Sequence, residues 1–215
     1  MAAFLDWAAL RPMTELEFQK ISRGPVLPVG GEYAWGSTNI SAATNISAGT
    51  ENGAETVEPT ANANFNNMTL AGGDTAGSAE FTQGALRGGI FALSSPDREK
   101  AGASYYGVME LSGNVREQAV TIGNAAGRSF TGAHGNGVLS SASGFEGNAN
   151  EANWPGLDGV PAKGVTGADG AGYLGGGWDD NQNLLRISDR SVAANASTVS
   201  RSDAGGRGVR TYDGN

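Results

Sequence analysis

The sequence predicts a loop-rich α+β fold, and three observations carry that expectation. Glycine supplies 35 of 215 residues, roughly double the usual ~7%, which suits a chain that turns often. Only one segment has both ends of a helix marked. Apolar alternation, the signature of a strand, occurs only in short runs beside turn residues. Leu, Ile, Val and Phe together stay below about one-fifth of the chain, a proportion that can mark disorder. The modest net charge of −8, with four Trp, five Tyr and seven Phe, decides for a folded chain. Residues 1–215 are therefore read as a single domain.

The helix falls at about 13–22. Thr14 and Glu17 form a T-x-x-E capping box, Leu16, Phe18 and Ile21 supply apolar contacts, and Gly24-Pro25 stops the helix. Tyr33-Ala34-Trp35-Gly36 follows as a short aromatic segment. Residues 37–84 are dominated by Ser, Thr, Asn, Ala and Gly without periodicity and read as a long polar loop region, anchored at 64–70. The stretch 105–120 reads as a strand, a Ser112-Gly113-Asn114 turn and a second strand. Gly172 to Trp178 precedes a polar loop, 184–188 is strand-like, and 206–212 forms a last short strand.

Composition excludes several functions. With 22 acidic against 14 basic residues and no basic stripe, the chain lacks the clustered cations that nucleic acid requires. No apolar run approaches the roughly 18 residues of a membrane span, so membrane insertion is not expected. The start, Met1-Ala2-Ala3-Phe4-Leu5-Asp6, has no basic n-region and no long apolar run. Zero cysteines remove disulfides, thiolate metal sites and thiol catalysis together. Gly72 to Ser78 lacks the lysine of a phosphate loop, and His134 has no spacing that builds a catalytic set. Asn39, Asn45, Asn67 and Asn195 each open an N-x-[ST] sequon, relevant only in a glycosylating pathway.

The ordered motifs R-P-M-T-E-L-E-F (11–18), E-Y-A-W-G (32–36), G-V-M-E-L-S-G-N-V-R-E (107–117), G-G-G-W (175–178), R-I-S-D-R (186–190) and R-G-V-R (207–210) together resemble the formylglycine-generating enzyme, or sulfatase-modifying factor, family. The resemblance spans nearly the whole chain and implies a C-type-lectin-like fold, as in the variable proteins of diversity-generating retroelements and domains of bacterial surface proteins. In that family a helix and a first strand, closing on the C-terminal strand, precede the helix at 13–22. Here they are expected to be missing, leaving either a fragment or a sheet edge covered by a neighbouring chain.

The resemblance also implies what chemistry is lost and kept. The two copper-binding thiols of the enzymes fall at Asp180 and Leu185, and an acid with an aliphatic group cannot hold Cu(I). No copper and no enzyme activity are expected. The turn at 110–117 implies calcium, with Glu110 and Glu117 as side-chain ligands and Gly113 and Val115 as carbonyl ligands, a hard oxygen set. The competing reading is a turn held by hydrogen bonds, with Glu117 paired to Arg116 or another nearby arginine. Asp179 to Asn183 is not an EF-hand, because Leu184 and Arg190 stand where its Gly and Glu belong. Arg186, Arg190 and Arg210 are expected to anchor loops through carbonyls or carboxylates.

The expected function is therefore a non-enzymatic recognition module of a cell surface, virion or secreted assembly. It would bind a protein or surface ligand through Trp178, Asp179, Asp180, Asn181, Asn183, Ser188 and Asp189, where polar groups surround an aromatic anchor. The alternative is a homo-oligomeric structural subunit of a filament or shell, its fold completed by neighbours.

Overall fold

A computed structural model describes residues 1–47, 53–67, 84–92 and 97–212. Parts of the polar region 37–84, including 68–70 of its expected anchor and the glycine-rich 72–78, lie outside the described residues.

The best-marked helix, α2 (Glu15–Arg23), forms as its ends dictate. Thr14 Oγ1 accepts the Glu17 N–H at 3.1 Å, and Glu17 Oε2 accepts the Thr14 N–H at 3.0 Å. Gly24 ends it at φ 66°. A side chain there would also collide with the Tyr105 ring, so the stop needs glycine for both reasons. Phe18 is fully buried, a burial contributing roughly 1.5–3 kcal/mol. Leu16 corrects the expected apolar face: it is 61% exposed, because two residues along a helix turn it away from the face of Phe18.

Two short elements precede α2: helix α1 (Ala2–Trp7) and strand β1 (Arg11–Pro12). β1 pairs antiparallel with β7 (Gly208–Val209), Arg11 opposite Val209 and Pro12 opposite Gly208. The chain thus has a helix and a strand where absence was expected, and its C-terminal strand has a partner. α1 is secured from inside by Asp6, which accepts the N–H groups of Asn136 and Asn150, one on each oxygen, at 2.9 Å.

The principal sheet has the order β5 (Ala171–Leu174), β4 (Arg116–Val120), β6 (Ala204–Gly206). β4 runs antiparallel to β5 and parallel to β6, with Glu117 opposite both Leu174 and Gly205. The expected last strand is therefore split at Arg207, β6 serving this sheet and β7 serving β1. A small hairpin joins β2 (Ile46–Ser47) to β3 (Thr56–Val57), and a short helix α3 (Ala125–Arg128) follows β4. Among the described residues the architecture is mixed α and β, with few helices and short sheets.

Two expected strands are not strands. Residues 105–109 contribute one isolated bridge, Ala103 with Met109, because the Gly107 N–H closes a tight turn onto the Ser104 carbonyl. Residues 184–188 form successive turns, with N–H groups of Leu184, Leu185 and Arg186 bonded to carbonyls of Asn181, Gln182 and Asn183. Leu185 and Ile187 are both buried, which reproduces the alternation of a strand without its ladder.

The core has separate centres. Met13, Phe18, Leu111, Leu174 and Ile187 pack between α2 and the sheet, while Tyr33, Trp35, Phe65 and Leu185 form a second cluster. Asn114 joins the loops between them. It sits at φ 69°, which asparagine tolerates, donates to Leu86 O at 3.0 Å, and accepts from Leu86 N at 2.7 Å and Asn64 Nδ2 at 3.1 Å. A loop-rich chain satisfies its buried backbone by such side-chain bonds.

Candidate functional site

The loop after Trp178 is built from a clamped base and an open tip. Gly175 and Gly176 both take positive φ, turning the chain out of β5. Trp178 N–H bonds the Asn114 carbonyl, and the Trp178 and Asp180 carbonyls accept the N–H groups of Asn67 and Asn66 at 2.8 and 2.7 Å. Asp180 Oδ2 accepts from Gly177 N at 2.8 Å and from Arg116 Nε at 2.7 Å, and Asp180 Oδ1 from Arg116 Nη2 at 2.5 Å. The third nitrogen of Arg116 reaches Asp203 at 2.9 Å, and Arg201 also holds Asp203. Such bidentate pairs fix orientation as well as charge.

This geometry revises the expected site. Trp178 is not an exposed anchor: it is 8% exposed, and its Nε1 donates to Ser202 O at 3.3 Å. Asp180 is a buried ion-pair partner, and Leu185, at the second thiol position, is fully buried. Asp179 is half-buried with Oδ1 lacking a hydrogen-bond partner; burial first, then Asp203 and Asp180, push its carboxyl above the ordinary value. Asp189 accepts from Ser191 N and Oγ. Asn181, Asn183 and Ser188 remain exposed, with Asn181 Oδ1 holding the Asn183 N–H at 3.0 Å. Of the expected site residues, Asn181, Asn183 and Ser188 are exposed, whereas Trp178 and Asp180 are buried. Arg116 and Asp203, which hold the base, were not foreseen as a pair.

The 110–117 turn is organised around a guanidinium. Arg207 Nε donates to Glu117 Oε1 at 2.5 Å, and Arg207 Nη2 donates to Met109 O at 2.7 Å. Glu110 instead accepts from Gly89 N at 2.6 Å and Asn114 Nδ2 at 3.3 Å. Gly113 donates its N–H to Gly175 O, and Val115 leads into β4. Only Glu117 Oε2 is left buried without a partner. Calcium takes six to eight oxygens, and among the described residues no group of three or more acidic or histidine side chains could hold a metal. Arg207 supplies a positive charge between Glu117 and the 109 carbonyl, which is the hydrogen-bonded arrangement expected as the alternative to calcium.

Burial pushes the carboxyls of both Glu110 and Glu117 above the ordinary 4.5, and for Glu117 the nearby Arg207 offsets this only in part. A raised carboxyl contributes stability that is fully present below its unfolded value and is lost as pH rises through its folded value. Glu110→Gln, which cannot ionise, is therefore expected to lose less stability than the parent as pH rises above 4.5. Urea midpoints across that range check it; parallel curves for both proteins would contradict it.

A cleft of about 580 Å³ opens elsewhere, lined among others by Gln118, Val120, Tyr173, Ser200 and Arg201. None of the expected site residues lines it. No protein-family model, no curated protein and no solved structure matches the chain. Among the described residues, no helix is long and apolar enough to cross a membrane.

Proposed function

We propose that the chain is a non-enzymatic recognition module with a C-type-lectin-like fold, displayed on a cell surface, virion or secreted assembly, that binds a protein or surface ligand through the loop after Trp178. One observation carries this reading: Asn181, Asn183 and Ser188 stand exposed on a segment whose base is clamped by Arg116 and Asp180 and anchored by buried Leu185 and Ile187. Adaptable hydrogen-bonding groups on a rigid base lose little freedom on binding. At the expected thiol positions, Asp180 is committed to Arg116 and Leu185 to the core, which supports a role without copper chemistry. The alternative, a structural subunit completed by neighbours, was motivated by an uncovered C-terminal strand edge. Gly208 and Val209 pair with Pro12 and Arg11, so that motive is weaker.

The triple change Asn181→Ala, Asn183→Ala, Ser188→Ala is expected to alter stability by within about 0.5 kcal/mol, as surface changes do, while abolishing most ligand capture. Thermal melts and binding to cell-surface fractions check both halves. A triple variant that unfolds, or that captures ligand as well as the parent, would remove the loop as the site.

A further inference from the structure

Beside this loop lies an exposed apolar strip with, at one end, an arginine that has no ion pair among the described residues. The run Pro25-Val26-Leu27-Pro28-Val29 follows the stop of α2, and all five residues are exposed, Leu27 to 84%. Single exposed apolar residues are ordinary, but a contiguous run marks an interaction surface. Two prolines fix their own φ angles, so little conformational freedom remains to be lost when a partner docks. At the near end, Gly24 packs under the Tyr105 ring, and Tyr105 and Tyr106 meet edge to face at 5.0 Å with both rings partly exposed. The strip therefore continues into an aromatic pair.

At the far end stands Arg186. A Cβ on Gly31 would sit 3.6 Å from Arg186 Nε, so the guanidinium lies against the end of the strip. Arg186 Nε is buried without a hydrogen-bond partner. This overturns the expectation that Arg186 anchors a loop. Arg11, Arg23, Arg87, Arg116, Arg190, Arg201 and Arg207 each pair with a carboxylate. Arg186, like Arg98, Arg128 and Arg210, has no such ion pair among the described residues, but Arg98 and Arg128 donate to carbonyls and Arg210 is exposed. The buried Nε is itself out of a partner's reach, but Arg186 as a residue is only partly buried, and a carboxylate supplied from outside would give the remaining nitrogens of its guanidinium a charge-assisted bond. The apolar strip asks for apolar side chains, and the cation at its end asks for an anion.

We propose that residues 25–29, Tyr105, Tyr106 and Arg186 dock an apolar segment of a protein partner that carries a carboxylate, Asp, Glu or a chain terminus, placed on Arg186. This rests on the recognition reading above and names the chemistry of the partner, since Arg186 belongs to the same 181–189 segment. The charge complementarity is local, because the chain as a whole carries −8 and would repel an acidic partner at a distance.

The test is selection of a random dodecapeptide library on the immobilised full chain, followed by anisotropy titration of the enriched peptides. The expected peptides combine aliphatic or aromatic residues with a carboxylate. Their affinity is expected to fall about ten-fold in Arg186→Gln, in Leu27→Ser, and when the peptide carboxylate is replaced by its amide, the size of a lost charge-assisted contact. Melts of both variants verify that they fold. Failure to enrich such peptides overturns the proposal, as does unchanged binding to either variant. If the Asn181, Asn183, Ser188 triple variant alone loses binding, the recognition loop stands and this docking surface falls. If Arg186→Gln and Leu27→Ser lose binding and the triple variant does not, the docking surface stands and the loop falls.

Discussion

Arg116→Ala is expected to destabilise the protein by roughly 3–5 kcal/mol, the usual result of removing one partner from a buried ion pair. The side chains of Arg116, Asp180 and Asp203 are only 12%, 8% and 6% exposed. Removal of the guanidinium leaves Asp180 with a single backbone N–H donor, from Gly177, and leaves Asp203 to Arg201 alone. The cost therefore comes from stranded carboxylates rather than from the intrinsic worth of the pair. Arg116→Lys keeps the charge but cannot reach Asp180 through two nitrogens and Asp203 through a third, so it should recover only part of the loss. Arg116→Met combined with Asp180→Asn should recover more than the lysine, since apolar or neutral replacement of a buried pair is often tolerated. Urea unfolding of the three variants reads this directly. A loss below about 1 kcal/mol in Arg116→Ala would place the site in the class of solvated surface pairs, and the rigid base assigned to the recognition loop would then be wrong.

The parts of this structure that are legible in the sequence are those settled by near neighbours. Thr14, Glu17 and Gly24 specify α2 because each cap is answered within a few positions. The β1 and β7 strands, two residues each, carry no period, and only pairing across almost the whole chain creates them. Leu185 and Ile187 show the converse: their alternation is real, yet local N–H to carbonyl bonds make it a run of turns. Trp178 stands beside acids and amides, so its surroundings in sequence read as surface; its carbonyl is held by Asn67 and its Nε1 by the Ser202 carbonyl, which no local pattern brings to it. Arg116 stands next to Glu117 and reads as its neighbour's partner, but its actual partner Asp180 lies 64 positions away. Arg186 escaped for a different reason. An arginine among Leu and Ile normally finds a carboxylate, and the absence of one is a property of three-dimensional neighbours.

Arg207→Ala is expected to cost about 3 kcal/mol near neutral pH, the lower end for a broken buried pair, because the Arg207 side chain is itself 34% exposed while Glu117 is 2% exposed. The loss should depend on pH with a definite sign. Burial already pushes the Glu117 carboxyl up, and Arg207 opposes that push through its charge and its hydrogen bond. Without the guanidinium the carboxyl rises further, so the folded variant holds its proton where the unfolded chain has released it. Stability supplied by such a group is present below its unfolded value and is lost as pH rises through its folded value. The variant should therefore approach the parent near pH 4.5 and fall away from it toward neutrality. Glu117→Gln in the Arg207→Ala background removes the ionisable group and should recover part of the neutral-pH loss, though the Met109 carbonyl stays unpaired by Arg207. Added calcium or a chelator should leave the melting of the parent unchanged, since Arg207 and not a metal neutralises Glu117. A loss that is the same at every pH would mean that Arg207 acts by packing and by its bond to Met109 rather than by charge, and a melting temperature raised by calcium would return the 110–117 turn to the metal-binding reading.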